Sequence, residues 1–268
     1  MALFSLLGAV QVQDKENVSI IIATHNNVST IERAVRSAIC GDRPANRIVI
    51  GDNDSTDGTY ERLCKILEAK EVTVDGQTGL PPEFDGELDG TPVTIFRKRK
   101  STTGHTLNIA MQARWQGVTI FGFMEPTSWY AQDKIAQAIR AFDQFQAAAC
   151  VVSDCDDHHT DRGCSKKRIE RVFRQSFDAQ RLLMGHQYDR NFLVRASSFP
   201  KLKSGFNEEL LAMEDYELLL RLSEIGLIYH IPAPLHSNTV TQLDEASSNL
   251  IAQCEDKAKQ IAMQRREE

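Results

Sequence analysis

The sequence predicts an α/β protein with a mainly parallel central sheet flanked by helices. Three observations predict it. Short continuous apolar runs recur at residues 18–23 (VSIIIA), 47–51 (RIVIG), 119–124 (TIFGFM) and 148–153, as in strands covered on both faces. Segments with apolar residues at helical spacing lie between them. The chain also opens with two strand–helix units in about 50 residues, which imposes parallel pairing through right-handed crossovers.

Taken in order, the first strand ends in the polar turn Thr24-His25-Asn26-Asn27. Residues 29–32 (STIE) read as a capping box. Ile31, Ala34, Val35, Ala38 and Ile39 then share a helical face, with Gly41 as the stop. The second strand leads through residues 52–58 (DNDSTDG) into a helix over 59–67, with Tyr60, Leu63, Cys64 and Leu67 on one side. Residues 75–92, rich in Gly, Pro and acids, are expected to form a loop or small excursion, long for a compact domain. A strand at 93–96, a helix at 106–113, a strand at 119–124, an amphipathic helix at 131–145 and a buried strand at 148–153 complete the alternation. Residues 154–203 are polar and expected to be loop-rich, and helices return at 214–225 and from 244. Within the polar part, 166–174 (KKRIERVFR) reads as an amphipathic surface helix that touches solvent, an anionic acceptor, a membrane surface or a partner.

Composition bounds the function. At 268 residues the chain can bury a core without disulfides or metals. Its 41% hydrophobic and 25% charged residues exclude collagen-like, wholly disordered and multi-span membrane classes. A net charge of −6 and a pI near 5.7 exclude general nucleic-acid binding, which needs a broad basic face. The apolar run 1–10 (MALFSLLGAV) is too short to span a bilayer and reads as an ordered or partner-facing segment ahead of a signal peptide. The six cysteines form no CxxC pair and suit a reducing compartment. The expected location is cytoplasmic, with peripheral attachment at a membrane as the alternative. Cys155, His158, His159 and Cys164 read either as a zinc cluster or as a polar loop that happens to hold these residues.

Ligands of open parallel sheets bind beyond the carboxyl ends of the strands. The residues there are 24–27, 52–58, 97–100, 125–128 and 154–157. There is no GxGxxG, P-loop or GxSxG motif, which argues against dinucleotide dehydrogenases, P-loop nucleotidases and α/β-hydrolases. Asp52-x-Asp54-x-Thr56 after an apolar strand also fits a haloacid-dehalogenase-type phosphatase, with Asp52 as nucleophile and Asp54 as acid/base. That motif normally ends the first strand, whereas here a strand–helix unit precedes it.

An ordered set of blocks resembles the family 2 glycosyltransferases, with their GT-A fold. The blocks are VSIIIATHNN (18–27), IVIGDNDSTDGT (48–59), HTLNIA (105–110), TIFGFMEPTSWYAQDKI (119–135) and GFNEELLAMEDYELLLRLSEIG (205–226). The resemblance implies transfer of a sugar from a nucleotide-diphosphate donor, UDP-linked, to a hydroxyl acceptor with inversion. The acceptor is a glycan, a lipid-linked glycan or another hydroxyl compound. It further implies an extension at 1–17, one domain over 18–240 (nucleotide-binding half 18–128, acceptor half 129–240) and a helical tail over 241–268. Asp215 matches the general base. Ala23, His25, Asp52, Asn53, Lys100, Asn108 and Glu214 fall at donor or acceptor positions, with Asn53 where the family has an acid that reads the base. The family holds Mg2+ or Mn2+ on an Asp-x-Asp motif. Here residues 125–128 (EPTS) keep Glu125 and put Thr127 in place of the second acid, with His236 as an additional candidate ligand. Three readings stay open: a metal held by Glu125 with water and diphosphate, a metal-free site using a basic residue, or a relative that binds without catalysis.

Overall fold

The structure is a computed structural model that describes residues 16–72, 83–113, 115–160, 167–202, 204–241 and 244–267. The apolar run 1–10 and Cys164 lie outside the described residues. The parallel heart of the sheet is β1 (Val18–Thr24), β2 (Arg47–Asp52), β5 (Thr91–Arg97) and β6 (Ile120–Met124), in the order β5-β2-β1-β6. β1 is buried along its whole length. Its side chains alternate between two cores. Ile20 and Ile22 pack on one face with Val35, Ile48 and Leu63; Ile21 packs on the other with Val49, Leu107 and Phe121. Burying each such side chain contributes about 2 kcal/mol, which is why the runs are apolar throughout rather than alternating.

Helices α1 (Ile31–Ile39), α2 (Thr59–Leu67) and α3 (Thr103–Ala113) connect these strands. The face expected for α1 is the buried one. The capping box is not formed. Thr30 is the N-cap and makes no side-chain cap bond. The Asn27 carbonyl takes the Thr30 and Ile31 N–H groups instead, and Glu32 pairs with Arg36 and Arg62. Gly41 is needed for space rather than for its φ, since a Cβ there would lie 2.5 Å from the Gln132 carbonyl oxygen.

Residues 83–92, the described part of the expected loop, hold more order than expected. β3 (Lys70–Val72) and β4 (Glu83–Leu88) extend the sheet antiparallel beside β5. The β4–β5 turn is Asp89-Gly90, with φ of 49° and 81°, the left-handed pair that closes tight hairpins.

Beyond β6 the sheet becomes mixed. β7 (Ser128–Tyr130), α4 (Lys134–Gln144), β8 (Ala148–Thr160), β9 (Lys167–Val172), α5 (Ala179–Met184), β10 (Leu193–Arg195), α6 (Phe199–Leu202), α7 (Glu214–Ile225), β11 (Leu227–Val240) and α8 (Glu245–Glu267) follow. β10 lies antiparallel between β6 and β8, and β11 runs parallel to β8. The expected surface helix at 166–174 is instead strand β9, paired antiparallel with β8. Ile169 and Phe173 remain largely exposed, so no apolar face is buried that would favour a helix. Arg171 faces Asp156 across the ladder at 2.8 Å. α8 is docked rather than free: Ala258 and Ala262 are fully buried, and Arg265 reaches Glu217 of α7 at 2.9 Å. Among the described residues no helix is long and apolar enough to cross a membrane.

Candidate functional site

In sequence order the chain moves from β1 outward to β2 and β5, then returns to place β6 on the other side of β1. A crevice opens at such a reversal, at the carboxyl ends of β1 and β6. Two loops interlock there. Asn26 N–H donates to Ser55 Oγ (2.9 Å), Thr56 N–H to Asn26 Oδ1 (2.8 Å), Asn27 N–H to Thr59 Oγ1 (2.8 Å) and Val28 N–H to Asp57 Oδ2 (3.0 Å). Gly58, at φ 92°, supplies the left-handed turn that starts α2. Asp52 is fully buried, accepts from Ser55 N–H at 2.9 Å and lies 3.6 Å from Arg97. It braces this loop. A buried, already engaged carboxylate is not a nucleophile that substrate can reach, which removes the phosphatase reading.

A cavity of about 200 Å³ opens beside these loops, lined by Ala23, Thr24, His25, Asn27, Asn53, Thr103, Pro126 and Arg190. Three expected residues, Ala23, His25 and Asn53, therefore meet in one wall. The His25 ring is held by Nδ1 at 2.9 Å from the Asn53 carbonyl oxygen. The Asn53 amide clamps the next loop: it donates to the Ser101 carbonyl and accepts from Ser101 N–H, both at 2.8 Å. Ser101 Oγ also approaches the amide oxygen at 3.4 Å, so one N–H of that amide stays free for a base. Lys100 is exposed on the same loop and is not in the cavity wall. Asn108 is not there either. Its amide ties α3 to residues 206–208, through Phe206 N–H (2.8 Å), the Phe206 carbonyl (2.9 Å) and Glu208 (2.8 Å).

The acid pair starts α7 just after Met213, whose φ of 63° turns the chain sharply into the helix. Glu214 is buried and ion-paired with Arg190, the cation in the cavity wall. Asp215 is buried, with Oδ2 3.7 Å from the His186 ring. Burial opposes ionisation of both acids. For Asp215, His186 and Arg190 outweigh burial and hold the carboxyl below its usual range; for Glu214, burial and Asp215 win and raise it. Asp215 therefore ionises more readily than an ordinary carboxyl, the direction a general base requires. Asp215 is not itself in the wall of the 200 Å³ cavity but shares the electrostatic surroundings of Arg190 with Glu125. Burial chiefly, with Asp189, Asp215 and Glu214 beside it and against Arg190, pushes Glu125 up to about 7.

The residues at the expected metal position do not fit a divalent ion. Thr127 offers a neutral hydroxyl, and Glu125 belongs to no cluster of three metal-ligating side chains among the described residues. His236 is buried with both ring nitrogens engaged: Nε2 on Asp189 (2.9 Å), Nδ1 on Lys134 Nζ (3.1 Å) and Ser153 Oγ (3.2 Å). Cys155, Asp189 and His236 do cluster, with ligand atoms within 4.8 Å of one another. Yet burial pushes the Cys155 thiol up to about 12, and the Lys134 ammonium fills the adjoining space. This group is a hydrogen-bonded polar core; of the zinc grouping read from the sequence it holds Cys155, and Cys164 lies outside the described residues.

Arg190, Asp189, Asn191 and Lys134 escaped sequence reasoning. Asn191 joins the network by accepting Glu125 N–H (3.3 Å) and donating to Ser128 Oγ (3.1 Å). The only signal was the short run Asp189-Arg190-Asn191 in an otherwise irregular stretch.

Comparison with known proteins shows the family and the fold. The model of glycosyl transferase family 2 matches residues 19–203. No individual curated protein matches the chain. Among solved structures, S. aureus TarS 1–349 superposes with a TM-score of 0.62 at 14% identity, over 83% of this chain and 60% of that one. Its complex with UDP-GlcNAc gives 0.62 at 15% identity, over 87% and 61%. The mannosyltransferase PcManGT from Pyrobaculum calidifontis, in complex with GDP-Man and Mn2+, gives 0.58 at 15% identity, over 87% and 59%. At such identities the likeness shows the fold, GT-A. The chain spans under two thirds of the length of these three neighbours.

Proposed function

The chain belongs to glycosyl transferase family 2, and on that premise we propose that it moves a hexosyl group from a nucleoside-diphosphate donor, UDP-linked, to a hydroxyl acceptor with inversion. The observation that carries this reading is the cavity at the strand-order reversal, walled by Ala23, His25, Asn53 and Arg190. The base rests against His25 and the free amide N–H of Asn53. The diphosphate lies toward Pro126 and Arg190. Asp215, ionised by its neighbours, takes the proton of the acceptor hydroxyl as its oxygen attacks the anomeric carbon. The bond to the diphosphate oxygen breaks in the same step, and the nucleoside diphosphate leaves with that electron pair. Acceptors are glycans, lipid-linked glycans or other hydroxyl compounds, met in the cytoplasm or at a membrane surface.

The test is a panel of UDP- and GDP-sugars with wild type and Asp215→Asn, read by release of nucleoside diphosphate and by NMR of the product anomer. Release by wild type, lost by at least about a hundredfold in the variant, with an inverted product, is expected. Release that survives the substitution, or a retained anomer, refutes the assignment. A second reading is favoured by the incomplete metal motif: a relative that binds sugar nucleotides without turnover. Saturable binding with no release under any metal condition would select it.

A further inference from the structure

Resting on that donor-site reading, we propose that Arg190 supplies the positive charge at the leaving diphosphate, so that transfer runs without a divalent metal. Four observations converge on this side chain. It lines the cavity with Ala23, Thr24, His25, Asn27 and Asn53, at the end of the sheet where the diphosphate must lie. Its guanidinium is held on one side only. One terminal nitrogen pairs with Glu214, while the buried Nε has no hydrogen-bond partner. A buried N–H left unmade is costly, so the guanidinium keeps donor capacity beyond its pair with Glu214. A guanidinium presents its donors as a planar fork that matches phosphate oxygens.

Its mounting is rigid. The next residue, Asn191, is almost fully buried and grips the backbone of Glu125, so Arg190 is fixed to the loop that carries an Asp-x-Asp in the family. Glu214, Glu125, Asp215 and Asp189 surround it and keep it charged.

Two other cations nearby, Arg97 and Lys134, are committed elsewhere. Arg97 donates to the Ser55 carbonyl at 2.5 Å and pairs with Asp52 and Glu61. Lys134 is buried, with its ammonium on Asn191 O (2.6 Å), Ser153 Oγ (3.1 Å) and His236 (3.1 Å). The metal donors offered by Glu125 and Thr127 are too few, as described above. As the acceptor oxygen bonds the anomeric carbon, the departing oxygen gains charge. The guanidinium of Arg190 donates to the diphosphate as that charge develops, with no proton lost from it.

The test is calorimetry of UDP against UMP, and of GDP against GMP, in EDTA and in Mn2+. Wild type is compared with Arg190→Lys and with Arg190→Gln/Glu214→Gln, which removes both charges so that no buried acid is left unpaired. Circular dichroism checks the fold of each. In EDTA, wild type should bind the diphosphate at least about tenfold more tightly than the monophosphate. The double variant should lose that preference while holding the monophosphate within about twofold, and nucleoside diphosphate release in EDTA should fall at least about a hundredfold. Arg190→Lys keeps the charge without the fork and should lose at least about half of the preference, so it carries the test if the double variant unfolds. A preference that appears only with Mn2+, or that survives in the variants, overturns the role of Arg190 but leaves the donor site standing. Absence of nucleotide binding under every condition overturns the donor site, and the role with it.

Discussion

Replacing Asn108 with Ala separates two roles that an amide on this helix can have. Its side chain makes three hydrogen bonds to residues 206–208, at 2.8, 2.8 and 2.9 Å. Each contributes about 1 kcal/mol net, and the buried Phe206 N–H left without a partner costs about 1 kcal/mol more. The better helix propensity of Ala returns roughly 0.6 kcal/mol. The expected loss is therefore about 3 kcal/mol, or roughly 6–10 °C in Tm for a chain of this size. Urea unfolding by circular dichroism measures the first quantity and calorimetry the second. UDP affinity should stay within about twofold, because Asn108 lies outside the cavity wall. A stability loss under about 1 kcal/mol together with a tenfold drop in UDP affinity would refute the structural assignment and make Asn108 a nucleotide ligand.

Glu125 makes stability depend on pH. Its folded value is raised from 4.5 to about 7, so the folded chain holds this proton more tightly. Its contribution is fully present below about pH 4.5 and is lost as pH rises through 7; Glu125→Gln should match wild type near pH 4 and exceed it by up to about 3 kcal/mol above pH 8 in urea titrations, and a gap that does not vary with pH contradicts this. Glu217 holds Arg221 through both carboxylate oxygens and also holds Arg265. Glu217→Leu strands a buried guanidinium and should lower stability by about 3–5 kcal/mol, with Arg221→Leu added on top restoring at least about half; no recovery in the double variant would show that packing, not charge, dominates. Gly90→Ala should cost about 1 kcal/mol in the same assay, since φ is 81° at the β4–β5 turn, and a neutral result would place that turn in another conformation.

Much of the fold was legible because burial leaves a plain pattern. VSIIIA and RIVIG are apolar but for Ser19 and Arg47 since both faces of their strands are covered, and the helices at 59–67 and 214–225 show their extents in sequence. The hairpin inside 75–92 was signalled by Asp89-Gly90, a signal masked by the surrounding glycines and prolines. β9 was not legible. Its partner β8 satisfies its backbone, while its side chains stay charged and exposed, so no two-residue period marks it and the spacing of Ile169, Val172 and Phe173 suggests a helix instead. Of the residues in the cavity wall, His25 and Asn53 were legible from their place after strands, and Ala23, inside β1, from the family resemblance. Arg190 was not, because its importance comes from burial beside Glu214, contributed by an element 24 positions further along the chain. Asn108 and His236 show the converse limit. An amide or imidazole looks the same in sequence whether it faces a ligand or closes a buried network.

The most direct measurement is a crystal structure of the protein grown with UDP in EDTA. The account predicts the base against His25 and Asn53, with diphosphate oxygens within hydrogen-bond distance of Arg190. Nucleotide bound at another surface, or a diphosphate turned away from Arg190 with the base alone in the cavity, would contradict it.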